Sequence, residues 1–234
     1  MKRKIISTTW LAILALLFIQ NASAQSIVDI SGGASSMDNY FTNLSYRRQV
    51  SDNFRIGFEL QYGSPKYRFV EAKPFEKGYA WSLSVPLSFK LAEQERIRLD
   101  GFVRPGFRFQ GIIDPDNNGI EDSLLNSRAV LFEAGLLVNV KLTEKLNLSS
   151  GVLLPTAFEI APTSLFEYMG TPNFTGGLSY LASPKTIVFI KGITGPAFGA
   201  SGDTYKYIWS AQAGVRFALG KNPTTKSLLL EPSF

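Results

Sequence analysis

From Tyr79 to Leu91 the chain alternates with a period of two. Tyr79, Trp81, Leu83, Val85, Leu87, Phe89 and Leu91 are large and apolar, and the residues between them, Ala80, Ser82, Ser84, Pro86, Ser88 and Lys90, are small or polar. Side chains of a strand point alternately to its two faces, so this segment has one face suited to hydrocarbon and one suited to water. It is also long enough, when tilted, to cross the apolar core of a bilayer.

The alternation recurs along the chain. Phe54, Ile56, Phe58, Leu60 and Tyr62 oppose Arg55, Gly57, Glu59 and Gln61, and Val130, Phe132, Leu136, Val138 and Val140 oppose Glu133, Gly135, Asn139 and Lys141. Near the end, Tyr207, Trp209, Ala211, Ala213, Val215, Phe217 and Leu219 oppose Ser210, Gln212, Gly214 and Arg216. Turn signals separate such segments in two alternating kinds. Short ones fall at 51–53, 92–96, 143–145 and 182–185; longer polar or Gly/Pro-rich ones fall at 64–77, 111–127, 159–171 and 196–204, with a brief one at 35–37. The pattern predicts ten strands near 26–34, 38–50, 54–63, 78–91, 97–110, 128–142, 146–158, 172–181, 186–195 and 205–219. Glycines dilute it in the first strand and in the pair spanning 172–195. Pro86 and Pro105 fall inside strands, where each removes a ladder donor, so a bulge or local irregularity is expected at both.

Short turns at one end and long loops at the other are the plan of outer-membrane barrels, short on the periplasmic side and long outside. The expected fold is therefore all-β: a single transmembrane antiparallel up-and-down barrel of about ten strands. Any even count, eight and twelve included, returns both termini to the periplasm. The apolar faces are ordered from end to end. Tyr62, Tyr79, Trp81, Phe107, Phe109, Tyr207 and Trp209 lie next to the long loops, and Phe54, Phe89, Tyr180 and Phe217 lie next to the short turns, with aliphatic or small residues between. Two aromatic girdles around an apolar band mark lipid interfaces. The alternative is a soluble up-and-down barrel, periplasmic or secreted, whose apolar face points inward around an apolar ligand. Such a barrel has no need of girdles or of alternating loop lengths.

The N-terminus supports export. Met1, Lys2, Arg3 and Lys4 precede an apolar run over Trp10 to Ile19 and then Asn21-Ala22-Ser23-Ala24, the pattern of a secretory signal peptide cleaved after Ala24. Residues 1–24 are thus read as leader, 25–219 as barrel and 220–234 as a periplasmic tail with little order. Removing the leader changes the charge argument. The full chain carries +5, but the leader holds three basic residues and no acidic one, leaving 21 basic against 19 acidic. The basic pI is therefore no sign of a nucleic-acid partner, and no nucleic-acid-binding motif is present. The absence of cysteine excludes disulfides, thiolate metal sites and a lipidated N-terminal Cys.

The segment Gln212-Ala213-Gly214-Val215-Arg216-Phe217-Ala218-Leu219 resembles the terminal-strand signal by which outer-membrane proteins engage their assembly machinery, carried here by Gln212, Gly214, Phe217 and Leu219. The chain continues for 15 residues past it, where such proteins usually stop. Together with the leader, the Val85-to-Leu91 segment followed by a short turn and the Ala213-to-Gly220 ending, it resembles the small outer-membrane β-barrel families of Bacteroidota, including the PorT-like group. That resemblance implies location: the outer membrane of a Gram-negative bacterium, with membrane lipid and the barrel-assembly machinery as partners. It implies no particular activity.

Candidate chemistry is sparse. Enzymes of this barrel architecture, as the resemblance suggests, include proteases, phospholipases and lipid A deacylases, which generally use a histidine base; this chain has no histidine, and no enzymatic activity is expected. The water-facing positions gather charge at Glu59, Arg98, Asp100, Arg104, Arg108, Glu133, Lys141 and Arg216. In a narrow lumen these form either a salt-bridged structural plug or an arginine-lined, weakly anion-preferring pore. No cofactor is implied unless it is calcium. Asp114-Pro115-Asp116-Asn117-Asn118-Gly119-Ile120-Glu121-Asp122 resembles D-x-D-x-[DN]-G calcium loops, with Asp114, Asp116, Asn118 and Asp122 side chains and the Ile120 carbonyl as ligands. Leu125 stands where a twelfth-position acid is expected, and the same residues suit an acidic hairpin loop.

Overall fold

The computed structural model describes residues 25–36, 38–67, 76–112, 126–161, 168–169, 171–199, 205–219 and 229–230. The strands are β1 (Ser26–Ser35), β2 (Asp38–Ser51), β3 (Phe54–Tyr67), β4 (Glu76–Ser84), β5 (Leu87–Glu93), β6 (Ile97–Ile112), β7 (Asn126–Lys141), β8 (Leu146–Ala161), β9 (Tyr168–Met169), β10 (Asn173–Ser183), β11 (Thr186–Gly199) and β12 (Tyr205–Leu219). β4 and β5 are two halves of one stave, and β9 is a two-residue strand that bridges β8 and β11 above β10. β10 pairs with β8, and β12 pairs with β1. The result is a closed antiparallel barrel of ten staves with no free edge along its wall.

The break in the fourth stave has a covalent cause. Pro86 lacks an N–H, and Pro105 of β6 comes level with Val85, so two ladder donors are missing at one height. What remains is used: Val85 N donates to the Pro105 carbonyl at 2.9 Å, and the Pro86 carbonyl accepts from Gly57 N at 2.8 Å. β6 itself runs through Pro105 with its register against β7 unshifted, so the expected irregularity appears on the β4–β5 side alone. Several strands extend further toward the long loops than composition suggests. Pro196 and Ala197, which read as loop, stay in β11 because Tyr207 and Lys206 of β12 face them in register.

Followed once around the wall, the registers accumulate a stagger of roughly 12 residues, which for ten strands sets a tilt of about 40° and a radius of about 10 Å. An interior that narrow is filled by side chains. Along β4 and β5, Ala80, Ser84, Pro86 and Ser88 are buried, while Trp81, Leu83, Val85, Phe89 and Leu91 are 39% to 56% exposed. The same division holds around the barrel: Leu44, Phe58, Phe132, Leu136, Leu154 and Ile190 stand outside, and Asn43, Glu59, Asn139, Ser149 and Arg216 stand inside. A soluble barrel with an apolar ligand inside needs the reverse.

Within the polar interior lie two apolar clusters. Phe102, Leu137 and Leu153 form one, with Ile193 packed against it. Gly135 makes room there, since a Cβ on it would sit 2.8 Å from the Phe102 ring. Ile27, Leu181, Ile187 and Ala218 form the other, at the short-turn end, and Leu229 completes it. Leu229 and Leu230 are both fully buried. The sequence expectation of a loose tail does not hold at these two positions.

Candidate functional site

The lumen is organised in layers from the short-turn end to the long-loop end. Toward the short-turn end, Asp29 of β1 receives two arginines. Arg216 of β12 donates Nε to Oδ1 at 2.8 Å and Nη2 to Oδ2 at 3.0 Å, and Arg47 of β2 donates Nη2 to Oδ2. The paired registers put these three residues on neighbouring staves: Asp29 faces Arg216 directly, and β2 lies on its other side. The Arg216 guanidinium also sits 5.8 Å from the centre of the Phe189 ring, a cation–π contact. Gly214 permits it, because a Cβ there would meet Phe189 Cζ and the Ile30 carbonyl at 2.6 and 2.5 Å.

Arg98 and Asp100 pair along β6, with Nε and Nη2 donating to Oδ1 at 2.9 and 2.6 Å, and Asn139 Nδ2 reaches Oδ2 at 3.4 Å. Higher up, Arg104 joins two staves to its own. Its Nη1 donates to Glu59 Oε1 of β3 at 3.0 Å and its Nη2 to Glu133 Oε1 of β7 at 2.6 Å. Nearest the long loops, Arg108 donates Nη2 to Asp38 Oδ1 at 2.9 Å and Nε to Gln110 Oε1 at 2.9 Å. Gly63 leaves the space that the Asp38 carboxylate occupies, its would-be Cβ lying 2.8 Å from Asp38 Cγ. A cavity of about 200 Å³ remains among Asp38, Asn43, Glu59, Arg104, Arg108, Glu133, Lys191 and Gln212. It is room for a few waters, and the buried Asn43 Oδ1, which has no hydrogen-bond partner, is a natural acceptor for one.

The sequence-derived charge set thus divides. Glu59, Arg104 and Glu133 come together; Arg98 and Asp100 form a second pair; Arg108 and Arg216 each find a carboxylate outside the set, Asp38 and Asp29. Lys141 belongs elsewhere, bonding Glu144 Oε2 at 2.7 Å across the short turn after β7. That contact, first through its hydrogen bond and then through the lysine charge, holds the exposed Glu144 carboxyl below its usual range. Sequence reasoning missed Asp29, Asp38, Arg47 and Lys191. The signal available for Asp29 and Arg47 was their shared parity with Ser31 and Ser45, the buried face of β1 and β2.

On the outer wall, Trp81, Phe109, Tyr207 and Trp209 near the long loops and Phe89, Tyr180 and Phe217 near the short turns are all exposed. Tyr62 stacks at 4.7 Å on Trp81, Phe107 at 4.6 Å on Phe109, and Phe54 at 5.0 Å on Phe89, while Tyr79 is partly covered. The band between is not wholly aliphatic, since Phe58 and Phe132 stand in it at 41% and 44% exposure. On β12, Gln212 and Gly214 face the lumen and Phe217 and Leu219 face outward. The acidic loop with Asp114, Asp116, Asn118, Ile120 and Asp122 lies outside the described residues. Among those described, no three metal-ligating side chains come together.

The fold and its lumen define a ten-stranded barrel with a charged, ion-paired inside and an apolar, aromatic-rimmed outside. No family model matches the chain, and no curated protein matches it in sequence. Among solved structures it is similar to the translocator domain of the autotransporter NalP from Neisseria meningitidis, at 12% identity and TM-score 0.49 over 92% of this chain and 95% of that one. It is also similar to an outer-membrane channel from Pseudomonas putida F1, at 12% identity and TM-score 0.46 over 85% and 96%, and to the outer-membrane protease OmpT from Escherichia coli, at 9% identity and TM-score 0.44 over 85% and 98%.

Proposed function

We propose that this chain is an integral outer-membrane β-barrel that acts without catalysis, through its long-loop end, and whose lumen is an ion-paired core and not a diffusion pore. The membrane part of the reading rests on the outer wall. Monomeric soluble proteins rarely expose a contiguous apolar patch beyond a few hundred Å², whereas here apolar side chains cover every stave between two aromatic rims. The earlier resemblance to PorT-like barrels belongs to this proposal, as do a periplasmic short-turn end, an outward long-loop end and delivery by the barrel-assembly machinery.

The observation that carries the lumen reading is Arg104, whose guanidinium ties Glu59 and Glu133 from two other staves across the interior. With the Asp29 layer beneath it, little free width remains. Ionic groups held this way are a mutually neutralising plug, the arrangement favoured when each charge has a partner within hydrogen-bond distance. Planar-bilayer recording on the purified protein tests it: the reading expects no steady single-channel current, and a reproducible ion-selective conductance would replace plug with pore. Outer-membrane fractionation with heat-modifiable gel migration tests the location, and recovery of the mature protein in the soluble periplasm would reject it.

A further inference from the structure

The two buried leucines at the end of the chain point to a device at the short-turn mouth. Four inward positions there are apolar: Ile27, Leu181, Ile187 and Ala218. They are contiguous. Leu181 faces Ile187 between β10 and β11, and Ala218 faces Ile27 between β12 and β1. With these staves adjacent, the four side chains make one apolar crescent just below the Asp29–Arg47–Arg216 layer, where Arg216 lies in register with Ile187. Left open, the crescent would face water inside a polar channel, an arrangement the hydrophobic effect opposes.

Leu229 is what covers it, and Leu230 beside it has no exposed surface either. β12, a stave of the crescent itself, ends at Leu219, and the ten residues from there to Leu229 have reach enough, at up to ~3.5 Å per residue, to bring Leu229 to the mouth. We propose that Leu229 is an intrinsic stopper: it seats on the crescent, with Leu230 buried beside it, and closes the short-turn mouth, so that the lumen exchanges with solvent from the opposite end only. The closure stands on packing alone; that it faces the periplasm rests on the membrane reading above.

The chain contains no cysteine, so a single introduced thiol reports on access without background. Ser179 is buried on the lumen face of β10, one inward position above Leu181. In detergent-solubilised protein carrying Ser179→Cys, a charged thiol reagent should label slowly. Adding Leu229→Asp and Leu230→Asp should raise the labelling rate roughly tenfold or more, since burial of two leucines is lost, with heat-modifiable migration retained. Equal rates with and without the aspartates overturn the plug. Should the aspartate variant fail to fold, a cysteine pair decides: Leu229→Cys with Ile187→Cys, or with Ile27→Cys, should oxidise to an intramolecular disulfide in the otherwise unaltered chain, and absence of both cross-links rejects the seating. A failure of the membrane reading would appear in fractionation and would leave these results unchanged.

Discussion

Replacing Asp29 by Asn keeps the shape of the side chain and removes the one negative charge on which Arg47 and Arg216 converge. The aspartate accepts three charge-assisted bonds, two from Arg216 and one from Arg47, and the two arginine side chains are 1% and 3% exposed. An asparagine has a single acceptor oxygen and turns its amide N–H groups toward a guanidinium. Two buried cations then lose the carboxylate that they shared. Breaking a buried pair by removing one partner costs about 3–5 kcal/mol, much of it the penalty of the charge left behind. Urea unfolding of the protein in phospholipid vesicles, followed by tryptophan fluorescence and by the gel shift of the folded form, should register a loss of that size. A triple variant, Asp29→Leu with Arg47→Met and Arg216→Met, should recover most of it, to within about 2 kcal/mol of the parent, because no unpaired charge remains. If Asp29→Asn loses less than about 1 kcal/mol while the barrel stays folded, the layer is hydrated and the argument from buried charge is wrong.

Other substitutions probe the wall, the packing and the bridge. Leu136, 52% exposed in the middle of the apolar band, should cost about 2–4 kcal/mol as Leu136→Arg in the same vesicle assay, whereas Phe109→Arg at the rim should cost about 1 kcal/mol or less; equal costs would argue against lipid contact. Gly214→Val should reduce folded yield sharply, since even a Cβ would sit 2.5 Å from the Ile30 carbonyl and 2.6 Å from the Phe189 ring, and overpacking of this kind costs about 1–3 kcal/mol; normal yield and unchanged unfolding would refute the close fit. Arg104→Met leaves Glu59 and Glu133 facing each other without their shared cation; urea unfolding in the same vesicles should show a loss of about 3–5 kcal/mol, and a loss below about 1 kcal/mol with the barrel folded would remove the bridge from the account.

The staves were legible in the sequence wherever the interior is polar and the exterior apolar, as at Tyr79 to Leu91 and Tyr207 to Leu219. They were faint in β1, β10 and β11, and glycine is only part of the reason. Ile27, Leu181 and Ile187 point inward, so in these strands apolar residues occupy both faces and the period of two dissolves. The crescent that receives Leu229 is what blurred the pattern. The charged lumen was legible as a set of inward positions but not as pairs, because barrel stagger, and not spacing along the chain, decides which residues meet. Arg216 and Asp29 are 187 positions apart, and Arg104 and Glu59 are 45 apart. Lys141 shows the converse, its parity pointing inward while its place at a strand end gives it to Glu144 of the adjoining turn.

The central claim is that the aromatic-rimmed wall lies in lipid, and two tryptophans offer a direct probe. In protein produced as residues 25–234, without Trp10, the tryptophans are Trp81 and Trp209, both on the outer wall near the long loops at 46% and 44% exposure. In vesicles of lipids brominated at successive acyl positions, the fluorescence of the folded protein should be quenched most by bromines near the headgroups and less by those at the bilayer centre, as interfacial tryptophans require. Fluorescence indifferent to every brominated lipid, yet quenched by acrylamide from the water phase, would contradict the account.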